Sequence, residues 1–178
     1  MQLYVERVLL MASPREMLAK IEKSEKYVSW KKKHPKGYLS HFFCPISADC
    51  ELKSDWEVGF YDADSEKMTV FACGEKITVK KKEDDVFKKP EQKVEELEIV
   101  SVKIPFDKAV DVFAGHVEEL FPKAGRGDGF VILQNLEGKS LWNFTFITKD
   151  LKFINIKINA ENGEVDSHLS MDLIDRGQ

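Results

Sequence analysis

The chain has 178 residues, 43% apolar and 33% charged, with 27 Lys and Arg against 31 Asp and Glu for a net charge of −4. This is an ordinary soluble composition, with enough apolar side chains for a sizeable core in one domain or two small ones. It demands no polyanionic partner, and no run approaches the roughly 18 consecutive apolar residues of a membrane span.

The charge is uneven. Residues 1–87 hold 15 basic and 15 acidic residues, and residues 88–178 hold 12 and 16, so the second half carries the whole excess. Abundant Lys and Glu with four Gln is a composition shared with thermophilic proteins. Glu6 and Arg7 interrupt the N-terminal apolar run, which is unlike a signal peptide. A cytoplasmic address is therefore expected. Cys44, Cys50 and Cys73 are too few, and odd in number, for a disulfide framework, although Cys44 and Cys50 could pair.

In chain order, Leu3–Met11 reads as a strand. Ser13-Pro14-Arg15-Glu16 then has the form of a capping box with Pro at the first helical position. Met17, Leu18, Ile21 and Val28 continue that helix on one face as far as Trp30 or Lys33. His34-Pro35-Lys36-Gly37 ends it. Tyr38–Ile46 is an aromatic strand broken by Pro45, and Ser47–Asp55 a polar loop. Trp56–Tyr61, Lys67–Cys73 and Lys76–Lys80 follow as strands, with turns at 62–66 and at Gly74-Glu75. Lys80–Glu96 is almost all charged around Pro90 and reads as an exposed connection.

Beyond it, Leu97–Ile104 reads as a strand. Pro105 and Asp107 open a helix with Val110, Phe113, Val117, Leu120 and Phe121 on one stripe. Pro122 and Gly125 close it. Gly129–Leu136 is a strand, and Glu137-Gly138 a turn. The clearest stretch of the chain follows at Ser140–His168: strands Trp142–Thr148 and Lys152–Ile158, then a third from Glu164, with turns at Lys149-Asp150 and Asn162-Gly163.

The two halves align by element. Ser54-x-Trp56 sits over Ser140-x-Trp142, 86 residues later, and Pro14 and Pro105 start the two helices. The expected fold is α+β in two related halves, each one helix packed on an antiparallel sheet. The halves are 1–80 and 97–178, with 81–96 as the charged connection. Strand edges invite pairing, so the sheets could join within the chain or across a homodimer.

A helix followed by a meander ending in Ala160-Glu161-Asn162-Gly163-Glu164-Val165, with Trp142 and the Phe and Ile alternation after it, resembles a PepSY-type domain. The first half follows the pattern more loosely, with Cys73-Gly74-Glu75-Lys76-Ile77 in place of that ending. The resemblance implies a small α+β module that regulates or inhibits peptidases or serves as a binding domain, with no common catalytic residues.

No motif specifies a reaction. His41-x-x-Cys44, beside His34 and Cys50, has a tolerable zinc spacing, but on a strand its two side chains point to opposite faces. No metal and no cofactor are expected. Asp62-x-Asp64-x-Glu66 opens like a calcium loop, but Lys67 and Cys73 stand where that loop needs Gly and Glu. Gly125-Arg126-Gly127-Asp128-Gly129 follows a helix rather than opening one, so it does not present helix amides to a phosphate. Asn143-Phe144-Thr145 is a glycosylation sequon inside a strand. No GxSxG elbow exists, and His116 and His168 read as surface or packing residues.

Two sets of residues remain. Trp56, Trp142, Phe144 and Phe153 would line a small-molecule pocket if the sheet were concave under the helices, although such aromatics usually belong to cores. Trp30, Lys31, Lys32, Lys33 and Lys36 interleave basic and aromatic residues, as single-stranded nucleic acid requires. Lys123 and Arg126 would add a second basic loop on a related end. Nucleic acid is nonetheless an unfavoured partner for a chain of this charge. The leading expectation is a non-enzymatic binding or regulatory module, with another protein or a second copy of itself as partner and no membrane. An enzymatic or ligand-binding pocket is the runner-up, and nucleic-acid binding the third.

Overall fold

The computed structural model describes residues 13–85 and 93–173. The strand expected at Leu3–Met11 and residues 86–92 of the charged connection lie outside the described residues.

The capping box forms as its sequence dictates. Glu16 N–H donates to Ser13 Oγ (3.2 Å) and Ser13 N–H to Glu16 Oε2 (2.7 Å), opening helix α1, Pro14–Glu22. The single helix expected as far as Trp30 or Lys33 is in fact two. Ser24 interrupts the helical run by capping helix α2, Glu25–Lys33: its Oγ accepts from Tyr27 N–H (3.2 Å) and its hydroxyl donates to Ile21 O (2.6 Å). A serine side chain that competes for backbone groups breaks a helix where periodicity alone would continue it.

The strands are β1 Tyr38–Ile46, β2 Trp56–Asp62, β3 Lys67–Cys73, β4 Ile77–Asp85, β5 Arg126–Leu136, β6 Lys139–Thr148, β7 Lys152–Asn159 and β8 Val165–Asp172. Helix α3, Phe106–Leu120, precedes β5. All eight strands form a single sheet in the order β4-β3-β2-β1-β5-β6-β7-β8, antiparallel at every pairing.

This corrects the expected fold class of two halves, each with one helix on its own sheet. Among the described residues the protein is mainly one eight-stranded antiparallel sheet with three helices, two of them ahead of β1. The reason is the β1–β5 junction, where Phe43 pairs with Ile132 and Ile46 with Gly129. One apolar core runs beneath all three helices, from Met17 and Trp30 through Phe42 and Trp56 to Phe113 and Ile158.

Alternation along the strands sorts the side chains. Phe42, Cys44 and Ile46 of β1, Val131 and Leu133 of β5, Phe144 and Phe146 of β6, and Ile154, Ile156 and Ile158 of β7 are buried in that core. His41, Phe43 and Pro45 of β1 are only half-buried, on the face without helices. Pro45 does not break β1; it pairs with Phe130 and the strand continues to Ile46.

Residues Leu97–Ile104 are not the strand expected of them. They contain a 3-10 turn, Ile99–Ser101, because β1, the strand they approach, is already paired to β2 and β5. The segment is tied down by single bonds instead. Leu97 N–H donates to Leu39 O (2.9 Å), and the N–H groups of Lys103 and Ile104 both donate to Ala160 O (2.8 Å each). The Glu137-Gly138 turn has φ of 52° and 75°, the left-handed pair of a tight hairpin. At Asn162-Gly163 only the glycine is left-handed (φ 80°). There the loop is built by Asn159, whose Oδ1 accepts from Glu161 N–H (2.8 Å).

Candidate functional site

Helix α2 lies over β3 and β4 and leaves a groove of about 460 Å³ between them. Lys26, Ser29, Trp30 and Lys33 fall on one helical face and form one wall. Phe71 and Val79 form the floor, Lys82 stands opposite on β4, and Thr69 and His34 complete the lining with Glu25. The groove is rigidly made at its centre. The Trp30 indole N–H donates to Thr69 Oγ1 (3.0 Å). The Trp30 ring stacks on His34 at 5.2 Å, and His34 Nδ1 lies 2.8 Å from Asp62 Oδ2. Asp62 also accepts from the Ser65 hydroxyl (2.8 Å) and from Asp64 N–H (3.3 Å). These bonds to its charged form, the one from His34 foremost, hold its carboxyl below the usual range.

The basic set expected to act together is divided. Trp30 is 8% exposed and packs on Phe60 and Phe71, so its ring is not a free stacking platform. Lys31 donates to Gly37 O (2.6 Å) and Lys36 pairs with Asp64 (3.1 Å). Lys32 is exposed, and Lys33 faces the groove. Arg126 belongs elsewhere. It follows the loop beside Ile46, since Ile46 pairs with Gly129, whereas Lys31–Lys36 adjoin Tyr38. The two basic loops thus sit at opposite ends of β1, about 27 Å apart at 3.3–3.4 Å per residue. The Arg126 guanidinium lies over the rings of Phe113 (5.5 Å) and Phe146 (5.9 Å), a cation–π arrangement.

The aromatic set expected to line a pocket is divided too. Trp56 and Trp142 meet at 6.0 Å, and Phe106 touches both. Phe144 stacks on Phe113 at 5.1 Å. Trp142 and Phe144 are fully buried and Trp56 is 7% exposed, so these three build the core beneath α3. The Trp142 indole N–H donates to Ile104 O (2.8 Å). Phe153 is on the other face of the sheet, beside Ile147 and Met171 in the cross-strand register.

That helix-free face carries the feature the sequence reading missed. Eight large apolar side chains are exposed among the described residues, and five of them, Ile147, Leu151, Leu169, Met171 and Leu173, gather at the β6–β8 end. Half-buried Phe153 lies among them, between Ile147 and Met171. Phe43 and Phe130, 5.9 Å apart, extend the apolar surface toward the centre. Between them Asn143, Thr145 and Asn155 satisfy one another, the Asn155 amide donating to Asn143 Oδ1 and Thr145 Oγ1. The available signal was the spacing of Leu169 and Met171, two apart in an otherwise polar strand. It marks one face without saying which face the helices cover.

Toward β2 the same face holds His41. Its ring fits only because Gly59 lies beside it: a Cβ there would come within 2.2 Å of the imidazole. Burial lowers the His41 pKa to about 4, assisted by the charge of Lys81. Cys44 points into the core on the opposite face and its thiol contacts Ser54 O (3.3 Å). Cys44 and Cys50 are both free thiols, so the pairing the sequence permitted is not made. Burial raises all three thiols, Cys50 to about 11. Among the described residues, no three His, Cys, Asp or Glu side chains are grouped to hold a metal ion. No helix among them is long and apolar enough to cross a membrane.

No family model matches the chain, and no curated protein matches it. Its architecture is similar to that of a Clostridium difficile 630 protein whose crystal structure is described as a "putative lipoprotein". The TM-score is 0.50 at 13% sequence identity, over 85% of this chain and 93% of the other. At that identity the likeness concerns the fold alone.

Proposed function

We propose that this chain is a non-enzymatic binding module that docks a protein partner on the β6–β8 corner of the helix-free face. The observation that carries the reading is the gathering of Ile147, Leu151, Leu169, Met171 and Leu173 in one exposed place. Contiguous exposed apolar surface marks interaction sites, whereas single exposed apolar residues need no explanation. The corner also includes β8, an edge strand of the sheet, which offers unpaired backbone groups to a partner strand. Burial raises the three thiols, which disfavours cysteine as a nucleophile.

The test compares the wild-type chain with Leu169→Lys plus Met171→Lys. Both positions are exposed, so folding should survive. Sedimentation velocity over a wide concentration range reads self-association, and cross-linking in native cells reads a different partner. The expected result is an association, with itself or with one defined protein, that the double variant loses while keeping its melting temperature. A monomeric wild type that captures nothing beyond what the variant captures would overturn the reading.

A further inference from the structure

We infer that the groove between α2 and β3–β4 is a second, separate binding site, for a small organic anion with an apolar body and a carboxylate or phosphate group. Its size falls within the range of small-molecule sites: about 460 Å³, against roughly 300–1,000 Å³. Its accessible apolar surface is Val79, over the buried Phe71 and beside the edge of Trp30, and its rim is cationic, from Lys26 and Lys33 on the helix and Lys82 on the strand opposite. Three lysines against the single carboxylate of Glu25 make this lining locally positive in a chain whose net charge is −4. Lys26 is held by Ile77 O (3.0 Å). Lys33 and Lys82 form no ion pair with a described residue, and both line the same cleft, one on the helix and one on the strand. An anion between them would gain from both while its body covers the exposed Val79. The lining is also pre-organised: the Thr69–Trp30–His34–Asp62 series fixes the indole before any ligand arrives, which lowers the ordering cost of binding.

A small ligand fits these observations better than a nucleic-acid strand. A strand needs a basic track beyond the groove. The lysines next along the chain are instead engaged, Lys31 with Gly37 O and Lys36 with Asp64, and the adjoining turn carries Asp62, Asp64 and Glu66.

The test follows the Trp30 indole N–H resonance in the full-length, nitrogen-15-labelled chain, identified by its loss in Trp30→Phe. Titrants are anilinonaphthalene sulfonate, indole acetate, adenosine monophosphate, inorganic phosphate, neutral indole and a short oligothymidylate. At least one organic anion should shift the resonance saturably. Lys33→Glu with Lys82→Glu should weaken that Kd by at least about tenfold, which is about 1.4 kcal/mol. The weak response to neutral indole should be unchanged by the same substitutions. Leu169→Lys with Met171→Lys should leave the shift intact, which separates this site from the sheet face. No saturable shift with any anion, or an equal Kd in the lysine variant, overturns the inference. Binding of the oligothymidylate tighter than that of adenosine monophosphate overturns it in favour of nucleic acid.

Discussion

At one edge of the sheet β4 exposes Lys80, Lys81 and Lys82 in succession; at the other, β8 exposes Leu169 and Met171, each at 53%. Charges on β8 are set apart from that apolar pair. Asp166 is bound to Lys139 (2.6 Å), and Asp172 lies 4.0 Å from Lys152. A charged edge resists pairing with another chain, and an apolar edge invites it. The sheet is therefore polarised, with a guarded end under α1 and α2 and an open end beyond α3. The two ends also differ in what their helices leave uncovered. On the guarded side the accessible feature is a cleft with a cationic rim, and on the open side it is a flat apolar surface. One suits a small anion and the other a protein.

The continuous core makes both edges one cooperative unit, and the largest expected effect tests that. Trp142→Ala removes a fully buried ring that touches Trp56 and Phe106, and should cost about 3–5 kcal/mol. Urea unfolding followed by circular dichroism and hydrogen exchange should show both edges failing in one transition. Two separate transitions would show that the two edges belong to two domains.

The next effect comes from the middle of the sheet, where His41 of β1 lies between β2 and β5. The unfolded-state pKa of His41 is near 6.5 and its folded value is depressed to about 4. Between those values the unfolded chain binds more protons. Stability from the neutral ring is thus fully present above about 6.5 and is lost as pH falls toward 4, by at most about 1.4 kcal/mol per pH unit. Urea midpoints at pH 7, 6 and 5 should trace this slope, and His41→Gln should flatten it. Smaller again is Ser24→Ala, which removes the cap of α2 and should cost about 1 kcal/mol in thermal melts, loosening the groove wall before the open edge. The smallest stability change belongs to Leu169→Lys with Met171→Lys, within about 0.5 kcal/mol per site. Its reciprocal is Lys80→Val, which removes the Lys80–Glu57 ion pair (3.3 Å) and puts an apolar side chain on the β4 edge. If light scattering shows that Lys80→Val associates while the β8 variant does not, edge chemistry governs assembly.

What could be read from the sequence was local. Ser13, Pro14 and Glu16 announced α1, and the span of β3 and the core of β5–β7 followed from alternation between turn residues. The β1–β5 junction was not legible, because pairing Phe43 with Ile132 joins distant stretches and neither strand records its neighbour. The same blindness made Leu97–Ile104 look like a strand, since its apolar residues satisfy the pattern without a free edge to join. For the candidate sites, Trp30 and Lys33 were visible as a basic-aromatic stretch. Lys82, which faces them across the groove, lay unremarked in the charged run. Trp56, Trp142 and Phe144 were recognised as an aromatic group but become interior once a single sheet places them beneath α3.

The meeting of Trp56 and Trp142 has a consequence for spectroscopy. Their rings are 6.0 Å apart and inclined by 61°, close enough and far enough from parallel for their transition dipoles to couple. The folded chain should therefore carry an exciton couplet in its ultraviolet circular dichroism. Because one chromophore comes from β2 and the other from β6, on either side of the β1–β5 seam, that couplet is an optical gauge of whether the seam is closed.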